Sequence, residues 1–275
     1  MIEIRHRDTN EAITAIDADS LQGVHLRAAR LAYGVLEGAS MCGADLTGAD
    51  LCLVLGKGCD LSRAILRGTD LSGADLTGAN LSDADLTEAR LFLTRLIDAR
   101  LDRARLQFIT ARRVRMPRAH LRDADLHGAY LSHADLRNAD LTGADLSDVW
   151  LPFANLEGAD LSFATLTGAN LTSAKLRAAN LHGANLVLVN LSGALLADAR
   201  FEEASLGRTL FAACRGLHAA SGLEQTTHLD HSSLDLDTLR RSIRSLPEKF
   251  LIGTGIRAGE LVALRSHFAG DVTAP

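Results

Sequence analysis

The stretch GADLTGADL at residues 43–51 sets the pattern for most of this chain, and it returns as GADLTGANL at 73–81 and NADLTGADL at 138–146. From Leu21 to Phe211, every fifth residue falls in one unbroken frame of 39 positions, and leucine occupies 33 of them. A small residue, usually alanine, stands two residues before each position, and aspartate or asparagine commonly lies between. Six exceptions keep the register; they are Met41, Gly56, Ala111, Met116, Phe201 and Phe211.

A period of five matches neither the 3.6-residue turn of an α-helix nor the two-residue alternation of a strand. If every fifth residue is to reach one continuous interior, the backbone has to turn a corner about every five residues. Four such sides close a square coil of about twenty residues, and successive coils stack at roughly the 4.8 Å spacing of neighbouring strands. The leucine and the small residue before it then fill the axis, and the other three positions face solvent. The period therefore predicts an all-β solenoid.

The pattern of alanine, aspartate or asparagine, leucine and two variable residues resembles that of the pentapeptide-repeat proteins, over residues 21–211. The resemblance implies a right-handed quadrilateral parallel β-helix, here of about ten coils. Composition agrees, because hydrophobic residues make up 47% of the chain but aromatic residues only 4%, as a core of leucine and alanine requires. The competing leucine-rich horseshoe needs a longer period with a fixed asparagine, and the sequence shows no such asymmetry.

The start of the chain is predicted to cover one open edge of the solenoid, since an uncovered edge invites aggregation. Residues 1–20 alternate apolar side chains at Ile2 and Ile4, then pass through a polar turn, and then present Ile13 and Ile16. This pattern predicts an N-terminal β-hairpin that acts as a cap.

The β-helix is assigned to residues 21–213, and residues 214–275 are assigned to C-terminal helices that cap it or form a dimer interface. The stretch 214–231 breaks the period and is expected to fold over the last coil. Ser233 is predicted to be the N-cap of a first helix that stops at Pro247. The apolar face of that helix is the candidate cap or dimer surface, with Leu236, Leu239, Ile243 and Leu246; a further helix at about 258–268 presents Leu261, Leu264 and Phe268.

Charge is distributed in three bands along the repeats. Residues 45–89 carry a net charge of −5 and residues 123–170 a net charge of −7, whereas residues 90–122 hold ten arginines and carry +8. The whole chain has a net charge of −5. We therefore do not expect direct nucleic-acid binding, although the arginine belt at 90–122 could contact phosphates.

A rod with a regular acidic surface can imitate duplex DNA, because a basic DNA channel attracts a matched array of carboxylates. The resemblance implies this function, since some pentapeptide-repeat proteins bind DNA gyrase in this way and shield it from quinolones or topoisomerase-poisoning toxins. The predicted partner is a type II topoisomerase, either DNA gyrase or topoisomerase IV. The candidate contacts are Asp45, Asp50, Asp70, Asp75, Asp85, Asp125, Asp135, Asp140, Asp145 and Asp160.

The alternative function is a generic protein–protein interaction scaffold that uses the arginine belt and an aromatic patch. Residues twenty apart share a face, so Tyr130 is predicted beside Trp150, and His133 beside Phe153. The segment after the repeats is also similar to one that joins such repeats to signalling domains in some bacterial proteins. The arginines have a second interpretation, in which the aliphatic parts of their side chains cover apolar backbone at 108–120, where the sequence departs from the repeat. The candidate residues are Arg95, Arg100, Arg105, Arg115, Tyr130, Trp150 and Phe153.

No catalytic series, cofactor loop or metal spacing is evident, so we expect a non-enzymatic protein without cofactor or metal. The stretch VLGKG at 54–58 lacks the spacing of a phosphate loop, and Gly56 in a leucine position predicts a local bulge. The N-terminus carries charges where a signal peptide needs an apolar run, and no apolar stretch is long enough to span a membrane. The predicted location is the cytoplasm.

Overall fold

The computed structural model describes residues 1–268, which form a long β-helix between an N-terminal hairpin and three short C-terminal helices. The repeating unit is five residues long. Four of them form a turn, and the fifth forms parallel bridges to the coils on either side, as Asp45 does with His25 and Ile65. Bridged residues are twenty apart, so four units complete one coil. We number the positions of a unit from its core residue, so that Leu46 is a first-position residue and Asp50 a fifth-position residue.

Each coil has four sides, which we name after their fifth-position residues. Side 1 carries residues 25, 45, 65 and so on, side 2 starts at residue 30, side 3 at residue 35 and side 4 at residue 40. The second- and third-position residues form the corners between consecutive sides. The corner between sides 4 and 1 is therefore diagonally opposite the corner between sides 2 and 3.

In a unit that follows aspartate or asparagine, every backbone N–H has a partner, which is what a buried backbone requires. Leu46 and Gly48 donate to the next coil at 2.8 and 2.9 Å, and the fifth residue donates to the preceding coil at 2.9 Å. Ala49 closes a type II turn on the carbonyl of its own first-position residue at 2.9 Å. The N–H of Thr47 points to neither coil and donates to the carboxylate of Asp45 at 3.1 Å. Aspartate or asparagine recurs at the fifth position because it supplies this acceptor.

The first- and fourth-position side chains fill the axis. The first-position residues from Leu31 to Leu206 are buried, including Met41, Met116 and Phe201. The bulge predicted at Gly56 is absent, because this unit keeps the regular turn and bridge. Leu76 from the next coil fills the space instead, and a Cβ at Gly56 would lie 2.9 Å from its Cδ2 atom.

The N-terminal segment forms an antiparallel hairpin of strands β1 (Ile2–Arg5) and β2 (Ala12–Ile16), with Ile2 opposite Ile16. Ile4 and Ile16 are buried and join the hydrophobic core of the solenoid. A bridge from His6 to Gly34 attaches the hairpin to the β-helix.

Beyond Phe211 the chain adds a wider, irregular coil, whereas the sequence predicted a segment folded over the last one. Strands β3 (Asn185–Val187), β4 (Ser205–Gly207) and β6 (Thr227–His228) pair in parallel, as do β5 (Leu210–Phe211) and β7 (Ser233–Leu234). The register lengthens because two 3₁₀ turns, Leu217–Ala219 and Leu223–Gln225, are inserted at the corners. Bridged partners are 20 residues apart at Leu195 and Arg215 but 23 apart at Phe211 and Leu234.

Three helices follow, α1 (Leu236–Ser242), α2 (Glu248–Gly253) and α3 (Ala258–His267). The N-cap of α1 is Asp235, whose carboxylate accepts from Thr238 N–H at 2.9 Å. The predicted N-cap, Ser233, is wrong because that residue pairs with Leu210 in the preceding strand. Helix α2, which the sequence analysis missed, begins directly after Pro247.

The apolar face predicted for the first helix is only partly buried. Leu239, Ile243 and Leu246 pack inside the chain, whereas Leu236 is 58% exposed. Leu261 and Phe268 of the last helix region are buried as well. Residues 269–275 of the predicted C-terminal segment lie outside the described residues. None of the helices within residues 1–268 is long and apolar enough to cross a membrane.

Replacing a core leucine should cost far more stability than replacing an exposed one. Leu131→Ala removes a fully buried side chain, and we expect the free energy of unfolding to fall by about 2–5 kcal/mol because a cavity remains. Leu188→Ala, at a corner where half of the side chain is exposed, is the control and should cost less than about 0.5 kcal/mol. Urea denaturation followed by circular dichroism measures both. Equal losses would contradict a leucine-filled axis.

Asp45→Asn should lose stability at neutral pH but not in acid. The amide oxygen can still accept from Thr47 N–H, but the variant loses the negative charge that the Thr47 hydroxyl and Arg27 stabilise. The hydrogen bond from the Thr47 side chain holds the pKa of Asp45 at about 2, below its usual 3.8. A carboxyl group with a lowered folded-state pKa stabilises the fold above its unfolded pKa, and this contribution is lost as the pH falls through the folded value.

We therefore expect Asp45→Asn to be about 1 kcal/mol less stable than the wild type at neutral pH, with the difference disappearing as the pH approaches about 2. Urea denaturation across this pH range measures the difference. Asp17→Asn, at an exposed position, is the control and should show little effect at any pH. A difference for Asp45→Asn that does not change with pH would contradict the assigned role of its charge.

Candidate protein-binding surfaces

The ten aspartates predicted to contact a partner share one structural task. All of them occupy fifth positions, and each accepts a hydrogen bond from the backbone N–H two residues later. They are Asp45, Asp50, Asp70, Asp75, Asp85, Asp125, Asp135, Asp140, Asp145 and Asp160. Their side chains are consequently half-buried or buried against the backbone. Their recurrence is explained by the fold before any partner is considered.

Six of the ten also form ion pairs. Asp45 is bound by Arg27 at 2.6 Å, and Arg137 binds Asp135 at 2.8 Å and holds the pKa of that carboxyl below its usual value. The other pairs are Asp70 with Arg90, Asp75 with Lys57 and Arg95, Asp85 with Arg67 and Arg105, and Asp140 with Arg122. Within residues 1–268, no ion pair involves Asp50, Asp125, Asp145 or Asp160.

The arginine belt neutralises much of the acidic band that precedes it. The offset of twenty residues places many of its arginines directly above an acid, and Arg103 donates two hydrogen bonds to Asp83 at 2.7 and 2.8 Å. Arg118 holds Asp98 in the same way, with both distances at 2.7 Å. These hydrogen bonds hold the pKa values of both carboxyl groups below their usual range.

The four arginines singled out from the sequence lie on three different sides, so they do not form one patch. Arg95 and Arg105 lie 4.0 and 3.6 Å from the carboxylates of Asp75 and Asp85, and Arg100 lies 4.0 Å from that of Asp102. Arg115 makes no ion pair among the described residues and bridges to Asp135 through the backbone.

Five carboxylates without ion-pair partners in the described part of the chain surround side 1, and we call them the acidic face. Asp125 and Asp145 are bridged neighbours on side 1, Asp123 and Asp148 stand at its two corners, and Asp160 lies on the adjoining side 4. Asp123 and Asp148 were not among the contacts predicted from the sequence. Their third position in the unit could have identified them, because third-position side chains point outward, whereas fifth-position side chains fold against the backbone.

Two glycines make room for the corner carboxylates. The side chain of Asp123 lies over Gly143 in the next coil, and that of Asp148 lies over Gly168. A Cβ at either glycine would collide with the carboxylate oxygen above it. Both glycines have positive φ, 69° and 74°, so a larger residue would also strain the turn. The two most exposed charges of the acidic face therefore occupy space that glycine in the next coil leaves open.

The aromatic residues are neighbours, as the period of twenty predicts. Tyr130 and Trp150 are bridged on side 2, and the rings of His133 and Phe153 stack with centroids 5.0 Å apart and planes 11° apart. Tyr130, Trp150 and Phe153 are each about half exposed, and the C-terminal helices do not cover them. They form a patch that a partner can reach.

An apolar depression on the corner between sides 2 and 3 was not foreseen. It has a volume of about 280 Å³ and is lined by Cys52, Leu53, Ser72, Gly73, Phe92 and Leu93. The sequence contained a pattern that could have predicted it, since Phe92 and Leu93 occupy second and third positions that are elsewhere mostly polar or small. Arg112 and Arg113 follow at the same positions one coil later.

A second open depression, of about 550 Å³, lies around the corner between sides 4 and 1. Its lining is charged and consists of Arg100, Asp102, Arg103, His120, Arg122 and Asp123. Arg103 and Arg122 form ion pairs with Asp83 and Asp140, which lowers the net positive charge of this depression. No group of three or more histidine, cysteine, aspartate or glutamate residues within residues 1–268 is placed to hold a metal ion.

Comparison with known proteins gives a family and a fold. The pentapeptide-repeat family matches in eight copies, over residues 20–54, 57–91, 119–152 and 154–193. HetL of Nostoc sp. strain PCC 7120, a pentapeptide-repeat protein involved in heterocyst differentiation regulation, is 34% identical over 75% of this chain and 88% of its own, with a TM-score of 0.43. QnrB1, a plasmid-mediated fluoroquinolone resistance protein, is 20% identical over 70% of this chain and 90% of its own, with a TM-score of 0.50.

No curated protein sequence matches the chain. The family matches leave out residues 92–118, which is most of the arginine belt, although the structure keeps the regular coil there. The matched segments nevertheless cover just over half of the residues. The chain therefore belongs to the pentapeptide-repeat family, whose fold is a right-handed β-helix solenoid.

Proposed function

We propose that the protein is a non-enzymatic binding module whose partner is a type II topoisomerase, DNA gyrase or topoisomerase IV. The acidic face would occupy the DNA channel of the enzyme in place of DNA, and the enzyme would thereby be protected from quinolones or topoisomerase-poisoning toxins. The observation that carries this proposal is the set of unpaired carboxylates around side 1, at Asp123, Asp125, Asp145, Asp148 and Asp160.

These carboxylates are close enough to act together. Acids on successive coils repeat at roughly the 4.8 Å spacing of strands, which is shorter than the screening length of about 8 Å at physiological salt. Their potentials therefore add, and a basic channel is attracted to the whole array.

The charge pairing narrows the surface that can mimic DNA. The acids of residues 45–89 are largely neutralised by Arg67, Arg90, Arg103 and Arg105, so they offer little to a basic channel. The acidic face lies further along the rod, where a single arginine, Arg137, is tied to Asp135. The proposed contact is therefore centred on residues 123–160.

Support from relatives is limited to the fold. QnrB1 is a fluoroquinolone resistance protein with a similar architecture, but an identity of 20% carries no function to this chain. The proposal is supported by the charges and their geometry. A non-enzymatic role is supported by an axis filled with leucine and alanine, which leaves no enclosed cleft among the described coils.

Homodimerisation through the C-terminal helices stays a prediction, as does a cytoplasmic location. Leu239, Ile243 and Leu246 are buried within the chain and are not available to a second copy. A dimer at this end would use the exposed side chains of Leu236 and Val262.

Purified protein should relieve ciprofloxacin inhibition of DNA gyrase supercoiling, and the relief should weaken as salt is raised. Asp123→Asn combined with Asp148→Asn removes the two most exposed charges of the acidic face. We expect this double variant to need at least ten times more protein for equal relief. Gel-based supercoiling assays across a protein titration measure the effect.

The matched control is Asp230→Asn combined with Asp98→Asn. It changes the net charge by the same amount, but both carboxylates lie away from the acidic face and are already paired with Arg208 and Arg118. We expect relief close to that of the wild type. No relief by the wild-type protein, or equal losses in the two double variants, would contradict the proposal.

Gly168→Ala tests the position of a charge without changing its number. A Cβ there displaces the carboxylate of Asp148, and we expect several-fold weaker relief of gyrase inhibition. Gly48→Ala is the control, since its φ of 65° gives the same turn strain but no side chain lies over it. Both variants should lose about 1 kcal/mol of stability. If Gly48→Ala weakens the relief equally, the position of Asp148 is not what matters.

A further inference from the structure

The corner between sides 2 and 3 changes character along the rod in an ordered way. Its second- and third-position residues pass from an apolar depression to a basic pair and then to stacked rings. The third-position residues on successive coils are Leu53, Gly73, Leu93, Arg113, His133 and Phe153. This corner is diagonally opposite the one that carries Asp123.

The apolar depression is shaped by a missing side chain. Gly73 lies between Leu53 and Leu93, and a Cβ at Gly73 would come within 2.7 Å of the Leu53 Cδ2 atom. Leu53 therefore lies across the glycine, and Phe92 and Leu93 rise beyond it with 44% and 45% exposure. Burial raises the pKa of the Cys52 thiol to about 12, so the wall it contributes is uncharged. The depression suits an aliphatic side chain.

Arg112 and Arg113 are exposed, and within residues 1–268 neither guanidinium group has a hydrogen-bond or ion-pair partner. The reason is their position. Many other arginines of the belt lie one coil beyond an acid, but the residues one coil before Arg112 and Arg113 are Phe92 and Leu93. The next coil offers Ser132 and His133, which supply no negative charge at neutral pH. Two unneutralised positive charges therefore stand between the apolar depression and the stacked rings.

The spacing of these features fits an extended peptide. The centre of the depression, at Gly73, is two coils from Arg113, and Phe153 is two coils further. At roughly 4.8 Å per coil, each step is about 10 Å, which equals about three residues of an extended polyproline II chain at about 3.1 Å each, a conformation in which every third side chain faces the same way. A segment of about seven residues spans the whole corner.

We propose that this corner binds an extended acidic segment of a partner protein. An aliphatic residue of the segment fills the depression, aspartate or glutamate three residues later meets Arg112 and Arg113, and an apolar or aromatic residue after three more packs on Phe153. Charge complementarity selects the occupant, since the two guanidinium groups are free of acids. A single-stranded nucleic acid fits less well, because its phosphates need cations along the whole strand and half of this corner is apolar.

This site is independent of the proposed topoisomerase contact. The acidic face surrounds side 1, whereas the peptide corner joins sides 2 and 3. Variants at Arg112 and Arg113 should leave the relief of gyrase inhibition unchanged, so failure of one proposal is distinguishable from failure of the other.

The test uses the full chain and the fluorescein-labelled peptide Leu-Ser-Ser-Glu-Glu-Ser-Phe, with anisotropy as the measurement. The control peptide carries two lysines in place of the glutamates. We expect the glutamate peptide to bind about ten times more tightly than the lysine peptide, consistent with the change from attraction to repulsion at two partly exposed cations. Arg112→Glu combined with Arg113→Glu should reverse this preference.

Phe92→Ser combined with Leu93→Ser removes the walls of the depression and should weaken both peptides. These side chains are exposed, and an unchanged melting temperature will show that the coil is intact. Absence of peptide binding, equal affinity of the two peptides for the wild type, or an unchanged preference in the arginine double variant would overturn the proposal. Tighter binding of a labelled twelve-residue oligothymidylate, lost in the same variant, would overturn it in favour of nucleic acid.

Discussion

The structure depends on a regular set of backbone hydrogen bonds between coils and within turns, which leaves one N–H per unit without a backbone acceptor. Three of the five N–H groups bond between coils and one closes the turn, which leaves the second-position N–H. The aspartate or asparagine before the leucine accepts it, as in the contact from Thr47 to Asp45. Where arginine, threonine or histidine holds the fifth position, as from Arg90 to His120, the chain keeps the same turn through the other backbone hydrogen bonds alone. The coil is therefore set by these bonds and the leucine axis, and the acidic residues add an acceptor in the units that carry them.

This constraint changes how the charge of the chain should be interpreted. Aspartates at the fifth position accept a backbone N–H whatever the protein binds, so their number is no measure of DNA mimicry. Ion pairs neutralise several of these aspartates as well, because an arginine twenty residues later lies directly above the acid, as Arg90 lies above Asp70. The informative charges are those left over: the corner carboxylates of Asp123 and Asp148, and the corner guanidinium groups of Arg112 and Arg113. Function in this fold is best sought where a residue departs from the repeat.

Much of the architecture could be predicted because the period of five leaves few geometries. The frame places residues twenty apart side by side, and the stacking of His133 on Phe153 follows from that rule. The pairing of Arg103 with Asp83 follows from the same rule and could have been predicted. The exposure of the third position also explains which carboxylates are prominent, but it emerges only once the turn geometry is known.

Other features depend on contacts that the repeat does not encode. The wider coil after Phe211 is set by inserted 3₁₀ turns, and its pairing takes Ser233 out of the following helix. Leu236 has the spacing of a buried helix residue, but it is the first residue of α1, directly after the Asp235 N-cap, and it stays exposed. The apolar depression arises from the absence of a side chain at Gly73.

Hydrogen exchange of the protein in the presence and absence of DNA gyrase tests the central claim most directly. Slowed exchange should be concentrated in the coils that carry the acidic face, on sides 4 and 1 and the adjoining corners between residues 120 and 165. The corner between sides 2 and 3 should exchange as in the free protein. Protection at that corner, or no protection anywhere, would contradict the assignment of the acidic face as the topoisomerase-binding surface.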